Sequence, residues 1–270
     1  LRHFYNLEGA GDMKHAVFFD IDGTLLDEHM QIPKSAITAI RKLRDNGDFA
    51  FLCSGRTRVN IYTKELLEDI GFDGIIAGCG THIEYHGSDV FEKTIPQEEM
   101  KRLLALFRQW NIPVVLESRK YLFADMEDFS DDPYILNLKQ ELGGLFCPLA
   151  EYAYVNKFTA NWKKGAKEQI IKELSCDYEL LFHEKQYVEG MPKGFSKATG
   201  IQWICSYLGI DHKNTYAFGD SVNDLEMLTY VANGIAMGNA TDDAKQAADY
   251  VTAPLNEDGI YKGLKHFSLI

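Results

Sequence analysis

The chain has 270 residues, 46% of them hydrophobic and 25% charged, and a formal net charge of -12. That length accommodates one large α/β domain or a core with a smaller companion, and no run approaches the roughly 18 apolar residues of a membrane span, so a soluble, cytoplasmic protein with no membrane partner is expected. The acidic balance excludes a nucleic-acid backbone as the main partner, and five cysteines without a CxxC pair suggest neither a disulfide framework nor a zinc site.

Residues 1–12 lack the features of a signal peptide and are expected to be a leader outside the fold, disordered or left by cloning, with Met13 as the natural start. From Lys14 short apolar runs alternate with helical segments: "HAVFFD" as a strand, "SAITAIRKLRDNG" as a helix, "DFAFLCSG" as a strand, "RVNIYTKELLEDIG" as a helix and "GIIAG" as a strand. Strands apolar on consecutive positions and joined by helices indicate a parallel sheet covered on both faces, the doubly wound class. The rhythm then changes. "THIEYHGSDVFEKTI" alternates around a turn at His86-Gly87-Ser88, "PQEEMKRLLALFRQW" reads as an amphipathic helix, and the strands "PVVLES", "KYLFADM", "YVNKFTA", "YELLFHE" and "QYVEGMP" are punctuated by helices near Tyr134 to Leu142 and at "GAKEQIIKELS". Strand pairs of this kind suggest a separate α+β unit. After Lys193 the first rhythm returns, with "SKATGIQWICSYLG" and "VNDLEMLTYV" as helices and "NTYAFGD", "GIAMG" and "DYVT" as strands. The expected fold is therefore α/β, a doubly wound, Rossmann-like parallel-sheet core over residues 13–82 and 189–270 with an α+β module inserted at 83–188. Segments near 81–84 and 189–193 are the expected hinges.

Strand ends carry the chemistry. Asp20 and Asp22 in "DIDGT" point to one side if the strand geometry persists, at the edge where open parallel sheets bind ligands. One carboxylate could attack phosphorus while the other donates a proton, and Gly23-Thr24 offers backbone N–H groups and a hydroxyl to a phosphate. An Asx-type turn would explain Asp22-Gly23 alone. "SGR" adds Ser54, Gly55 and Arg56, whose hydroxyl, N–H groups and guanidinium suit phosphate oxygens, although Arg56 could equally sit in a core ion pair. "GDSVND" adds Asp220, Asn223 and Asp224, with Ser221 and Asp224 also readable as a capping box. Three acids at one edge make a hard-cation site plausible, magnesium above all. Lys197, at a helix start, offers a positive charge there or a solvated surface residue.

"DIDGT", "SGR", the helix-start lysine and "GDSVND", in this order, resemble the four motifs of the haloacid dehalogenase-like phosphatases, and "GIAMGNATDDAKQAADYVTAPLNEDGI" resembles the Cof-type subfamily. The resemblance implies an inserted α/β cap that closes over the leaving group. It implies Asp20 as the nucleophile forming an aspartyl-phosphate, and Asp22 as general acid and then base with its backbone carbonyl on Mg2+. Ser54 and Lys197 would hold the phosphoryl group, Asp20 and Asp220 would ligate the metal, and Asn223 and Asp224 would complete the site. Where many relatives have Asn-Gly at the passage into the cap, this chain has Cys79-Gly80, which bears on substrate preference.

The expected activity is hydrolysis of phosphomonoesters of small metabolites, sugar phosphates first, by a monomer or homodimer. A phosphomutase on the same core and a non-enzymatic phospho-acceptor or ligand sensor are the rivals. Cys53, beside Ser54, is read as a buried strand residue rather than a thiol nucleophile. Glu189 is open between a hinge role and a solvated strand position.

Overall fold

The computed structural model describes residues 14–124, 131, 133–148, 154–162, 165–183 and 186–270. The expected leader and Met13 lie outside these residues, as do Asp125, Met126 and Glu184 at the ends of two expected strands.

The first strands are β1 (Ala16–Phe19), β2 (Phe49–Cys53), β3 (Gly74–Ala77), β4 (His82–Tyr85) and β5 (Ser88–Glu92). Then come β6 (Val114–Glu117), β7 (Leu122–Ala124), β8 (Phe146–Pro148), β9 (Lys157–Asn161), β10 (Tyr178–Phe182) and β11 (Tyr187–Pro192), followed by β12 (Thr215–Gly219), β13 (Asn233–Ala236) and β14 (Tyr250–Val251). Among the described residues they form an eight-stranded sheet ordered β14-β13-β12-β1-β2-β3-β4-β5 and a six-stranded sheet ordered β10-β11-β9-β6-β7-β8.

The larger sheet is parallel from β14 to β3. Alternate residues of its central strands feed two cores: Val17, Phe19, Leu52 and Phe218 pack on the helices Lys34–Asp45 and Gly259–His266. Phe18, Phe51 and Ala217 pack on Lys197–Leu208 and Leu225–Tyr230. Burial on both faces is why these strands read as continuous apolar runs, each large side chain contributing roughly 1.5–3 kcal/mol. The chain leaves β1 toward β2 and later returns on the other side as β12, so the order reverses at β1, where such sheets bind ligands.

Two expectations need correction. The hairpin β4–β5, assigned to the inserted module, pairs antiparallel onto β3 in the larger sheet. The positive φ of Gly78, Cys79 and Gly80 (56°, 52° and 83°) folds the chain straight back there, and alternation does not disclose which sheet an antiparallel strand joins. The hinge expected at 81–84 is accordingly inside a strand, while Glu189 to Pro192 belong to β11 of the smaller sheet. The chain passes between the sheets at Lys93–Pro96 and Pro192–Phe195; both passages line one cavity of about 360 Å3, and Phe91 stacks on Phe195 at 6.0 Å. The second correction is the helix expected over 58–71, which is a 3-10 turn Arg58–Asn60 and a π-helical turn Glu65–Asp69. Contacts of Thr57 and Asn60 with Glu117 of β6 hold its start off the α path, tertiary structure overriding propensity.

The smaller sheet is antiparallel except at β7–β8. Phe158, Leu116 and Val188 pack on the helices Gln97–Gln109 and Lys167–Leu174 through Phe107, Leu103 and Ile170. Among the described residues no helix is long and apolar enough to cross a membrane.

Candidate active site

The site lies at the carboxyl ends of β1, β2 and β12. Asp20, 2% exposed, follows β1 and donates its backbone N–H to Phe218 O at 3.0 Å. The chain then turns tightly, with the N–H groups of Leu25 and Leu26 on Ile21 O and that of Gly23 on Leu26 O. Gly23 has φ 80°, and a Cβ there would meet Asp220 Oδ2 at 2.3 Å, so only glycine admits the third acid so close to the turn. Asn239 Nδ2 donates to Gly23 O at 2.8 Å and fixes the turn from outside.

Lys197 is 1% exposed rather than solvated, and its Nζ donates to Asp20 Oδ1 and Asp224 Oδ1, both at 2.5 Å. Its helix begins at Ser196, which forms a reciprocal capping box with Thr199. Close packing sets the helix under the site: a Cβ on Gly80 would lie 2.5 Å from Ser196 O, and one on Gly200 would lie 3.0 Å from Gly80 Cα. Asp224 also accepts, through Oδ2, the backbone N–H groups of Asp220 and Ser221 at 2.9 and 3.0 Å. The capping-box reading of Ser221 and Asp224 therefore holds together with Asp224's place at the site.

One ligand oxygen each of Asp20, Asp220 and Asp224 lie within 4.8 Å of one another. Burial first, then Asp224, Asp220 and Asp22, pushes the Asp20 carboxyl well above the ordinary carboxylate range against the pull of Lys197. Burial and Asp224 likewise push Asp220 up to about 7. Burial opposes the charge on Lys197, yet Asp20 and Asp224 outweigh it and hold the ammonium's pKa well above its usual value. Oxygen donors in electrostatic excess over the single lysine fit a hard divalent cation.

The remaining expected residues are nearby, with different partners. Thr24 is fully buried and donates its hydroxyl to Asp220 Oδ1 at 3.0 Å, so it holds an acid rather than facing a phosphate. Ser54, 1% exposed, accepts the Arg56 N–H on its Oγ at 3.1 Å. The Arg56 guanidinium takes Asp22 in a fork, Nε to Oδ2 at 2.8 Å and Nη2 to Oδ1 at 2.5 Å. Asn223 Oδ1 accepts the Ser221 hydroxyl at 2.7 Å. Cys53 is fully buried, and burial pushes its thiol well above the ordinary range.

Lys157 and Glu117 escaped the sequence reading. Lys157 Nζ donates to Gly55 O at 3.0 Å, and Glu117 Oε2 accepts Thr57 Oγ1 and Asn60 Nδ2 at 3.0 and 3.2 Å, so the smaller sheet grips the loop after Ser54. Glu189, left open above, pairs with Lys157. The available signal is a charged residue at an inward position of "PVVLES" and of "YVNKFTA", visible only once the register is known.

A model of the haloacid dehalogenase-like hydrolase family matches residues 17–264. The protein YkrA of Bacillus subtilis (strain 168) is 30% identical over 256 residues, 94% of this chain and 98% of that protein. From the same organism, 5-amino-6-(5-phospho-D-ribitylamino)uracil phosphatase YitU is 26% identical over 278 residues, again 94% and 98%. Among solved structures, the HAD subclass IIB sugar phosphatase BT4131 superposes with a TM-score of 0.81 at 30% identity, covering 95% of this chain and 100% of that one.

Proposed function

This chain belongs to the haloacid dehalogenase-like hydrolases, and on that premise we propose that it is a magnesium-dependent phosphatase acting on phosphomonoesters of small metabolites, sugar phosphates first. The observation that carries the reading is Asp20, buried at the end of β1 with the Lys197 ammonium at 2.5 Å and Asp220 and Asp224 within reach. The sugar phosphatase BT4131 and the phosphatase YitU, whose named substrate carries a phosphorylated ribityl chain, support the substrate class.

The Asp20 carboxylate attacks phosphorus in line, the bond to the leaving oxygen breaks, and the oxygen takes a proton from Asp22. Asp22 then removes a proton from water, whose oxygen attacks the aspartyl-phosphate, releasing phosphate and restoring Asp20. Arg56 engages one lone pair on each Asp22 oxygen, so the proton is carried on a position the fork leaves open. Lys197 orients Asp20 and offsets part of the negative charge that burial makes costly. Ser54 and the backbone after it receive phosphoryl oxygens, and Asn223 borders them. Asp20, Asp220 and the Asp22 carbonyl would hold Mg2+, with Asp224 in support, and the ion would supply charge neutralisation at the phosphoryl group. The segment between the two passages acts as the cap.

The test is phosphate release from sugar phosphates, nucleotides and an aryl phosphate, with Mg2+ or a chelator. Asp20→Asn is expected to lose on the order of a thousandfold or more, as removal of a nucleophile does, and the chelator to abolish release. Turnover that survives both would sink the reading.

A further inference from the structure

The smaller sheet presents a charged patch to the loop that follows Ser54. Register sets Lys157 opposite Glu117 and Thr159 opposite Glu189, and alternation puts Lys157 and Thr159 on one face. Lys157 is 2% exposed, Glu117 5% and the Glu189 side chain 12%. Burying an ion pair seldom stabilises a fold more than apolar packing of the same volume would, so stability does not explain this patch.

Its members differ in what they have left to offer. Glu117 already accepts three hydrogen bonds, from Thr57, Asn60 and Thr159, and Lys157 donates to Gly55 O and Glu189 with Glu117 Oε1 at 3.9 Å. Glu189 has Lys157 on Oε2 and the His183 ring nitrogen 2.9 Å from Oε1, and a carboxylate accepts about four hydrogen bonds. Glu189 is also at the mouth of the site: a Cβ on Gly55 would lie 3.4 Å from Glu189 Oε2, 3.6 Å from Asn223 Nδ2 and 3.6 Å from Cys79 Sγ. Burial opposes its ionisation, but Lys157 and His183 prevail and hold its carboxyl down to about 2, so it is an anion at neutral pH.

The surroundings have the same sign. Two carboxylates face one ammonium in the patch. Beside it, a cavity of about 160 Å3 is lined by Glu179, Glu226, Asn223 and Lys197 among others; Glu179 pairs with Lys193 at 3.1 Å and the Lys197 charge is taken by Asp20 and Asp224, so Glu226 gives this lining its net negative charge. In-line attack by the buried Asp20 puts the leaving group on the far side of phosphorus, away from Asp20.

Resting on the phosphatase reading above, we propose that Glu189, positioned by Lys157, is a specificity-determining residue. It accepts hydroxyl or ammonium donors of the leaving group and repels anionic ones. The substrates it selects are monophosphates of neutral polyols or amino alcohols, in preference to diphosphates, bisphosphates and phosphorylated sugar acids.

The test compares kcat and KM for matched aldose and aldonate phosphates, tetrose to hexose, and for an aryl phosphate without hydroxyls, in the wild type and in Glu189→Gln. The wild type is expected to prefer the best neutral sugar over its acid by about tenfold or more in kcat/KM, equivalent to about 1.4 kcal/mol. Glu189→Gln is expected to narrow that ratio to within about threefold, mainly through KM, with aryl phosphate turnover changed by less than about threefold. Equal wild-type rates on acid and neutral sugar, or one common factor of loss on all three compounds, would overturn the proposal. Cleavage of the aryl phosphate with no sugar compound cleaved would overturn it too, leaving the phosphatase reading intact; no cleavage of any compound would overturn that reading itself. Should Glu189→Gln not fold, inhibition of the wild type decides: the free polyol binding about tenfold tighter than the aldonate upholds the proposal, and equal inhibition overturns it.

Discussion

Lys197 Nζ lies 2.5 Å from Asp20 Oδ1 across 177 positions of sequence. The contact joins the end of β1 to the first turn of the helix that reopens the larger sheet after the smaller one is complete. The pairing of Asp20 with Lys197, and the meeting of Asp20 with Asp220 and Asp224, can therefore form only once both halves of the larger sheet have met.

Lys197→Met tests how far the ammonium holds the acids together. Removing one partner of a buried ion pair typically costs about 3–5 kcal/mol, and here it would leave Asp20 and Asp224, both buried, without their cation. The urea midpoint is expected to fall by more in chelator than in excess Mg2+, because the cation replaces part of the missing charge. An equal fall in both buffers would show that the acids do not share a cation.

Gly23→Ala places a methyl 2.3 Å from Asp220 Oδ2 on a residue with φ 80°. Left-handed backbone costs an alanine about 1–2 kcal/mol. Gly47, with φ 92° and open space around it, carries the same backbone cost alone. Gly23→Ala is expected to lose more stability than Gly47→Ala by thermal melt, the excess being the displacement of Asp220, and it alone raises the Mg2+ concentration for half-maximal phosphate release, by about tenfold or more. Unchanged Mg2+ dependence would separate Asp220 from the metal.

Acid stability reports on Glu189. Its carboxyl is held at about 2 in the fold against an ordinary 4.5, so the unfolded chain binds the extra proton in between. The stabilisation is thus complete above about pH 4.5 and is lost as pH falls toward about 2, at most on the order of 3 kcal/mol. Urea unfolding followed from about pH 5 to about pH 3 is expected to slope less steeply in Glu189→Gln than in the wild type. Parallel slopes would mean that Lys157 does not hold this carboxylate.

What could be read in the sequence was what depends on strand ends. Asp20, Ser54 and Asp220 each follow an apolar run that can only be a buried strand, and the parallel rhythm sends those ends to one edge. Lys157, Glu117 and Glu189 were hidden because their meaning depends on cross-strand register, which a sequence of short antiparallel strands does not specify. The same ambiguity let β4 and β5 be assigned to the wrong sheet. Thr24 and Arg56 were placed at the right edge, but nothing local announces that their donors go to Asp220 and Asp22.

Lys93–Pro96 and Pro192–Phe195 flank a common cavity, so the chain departs from the larger sheet and rejoins it at one place. Everything in between is a cassette with adjoining ends. It can be exchanged for another of different length without rethreading the larger sheet, and the ends of β1 and β12 are held within that sheet, whereas the loop after β2 would need new partners in place of Lys157 and Glu117. Diversification and chemistry are thereby largely uncoupled in this architecture: most of the cassette can drift toward new ligands, and the constraint falls on the few residues, Lys157 and Glu117 among them, that touch the loop after Ser54.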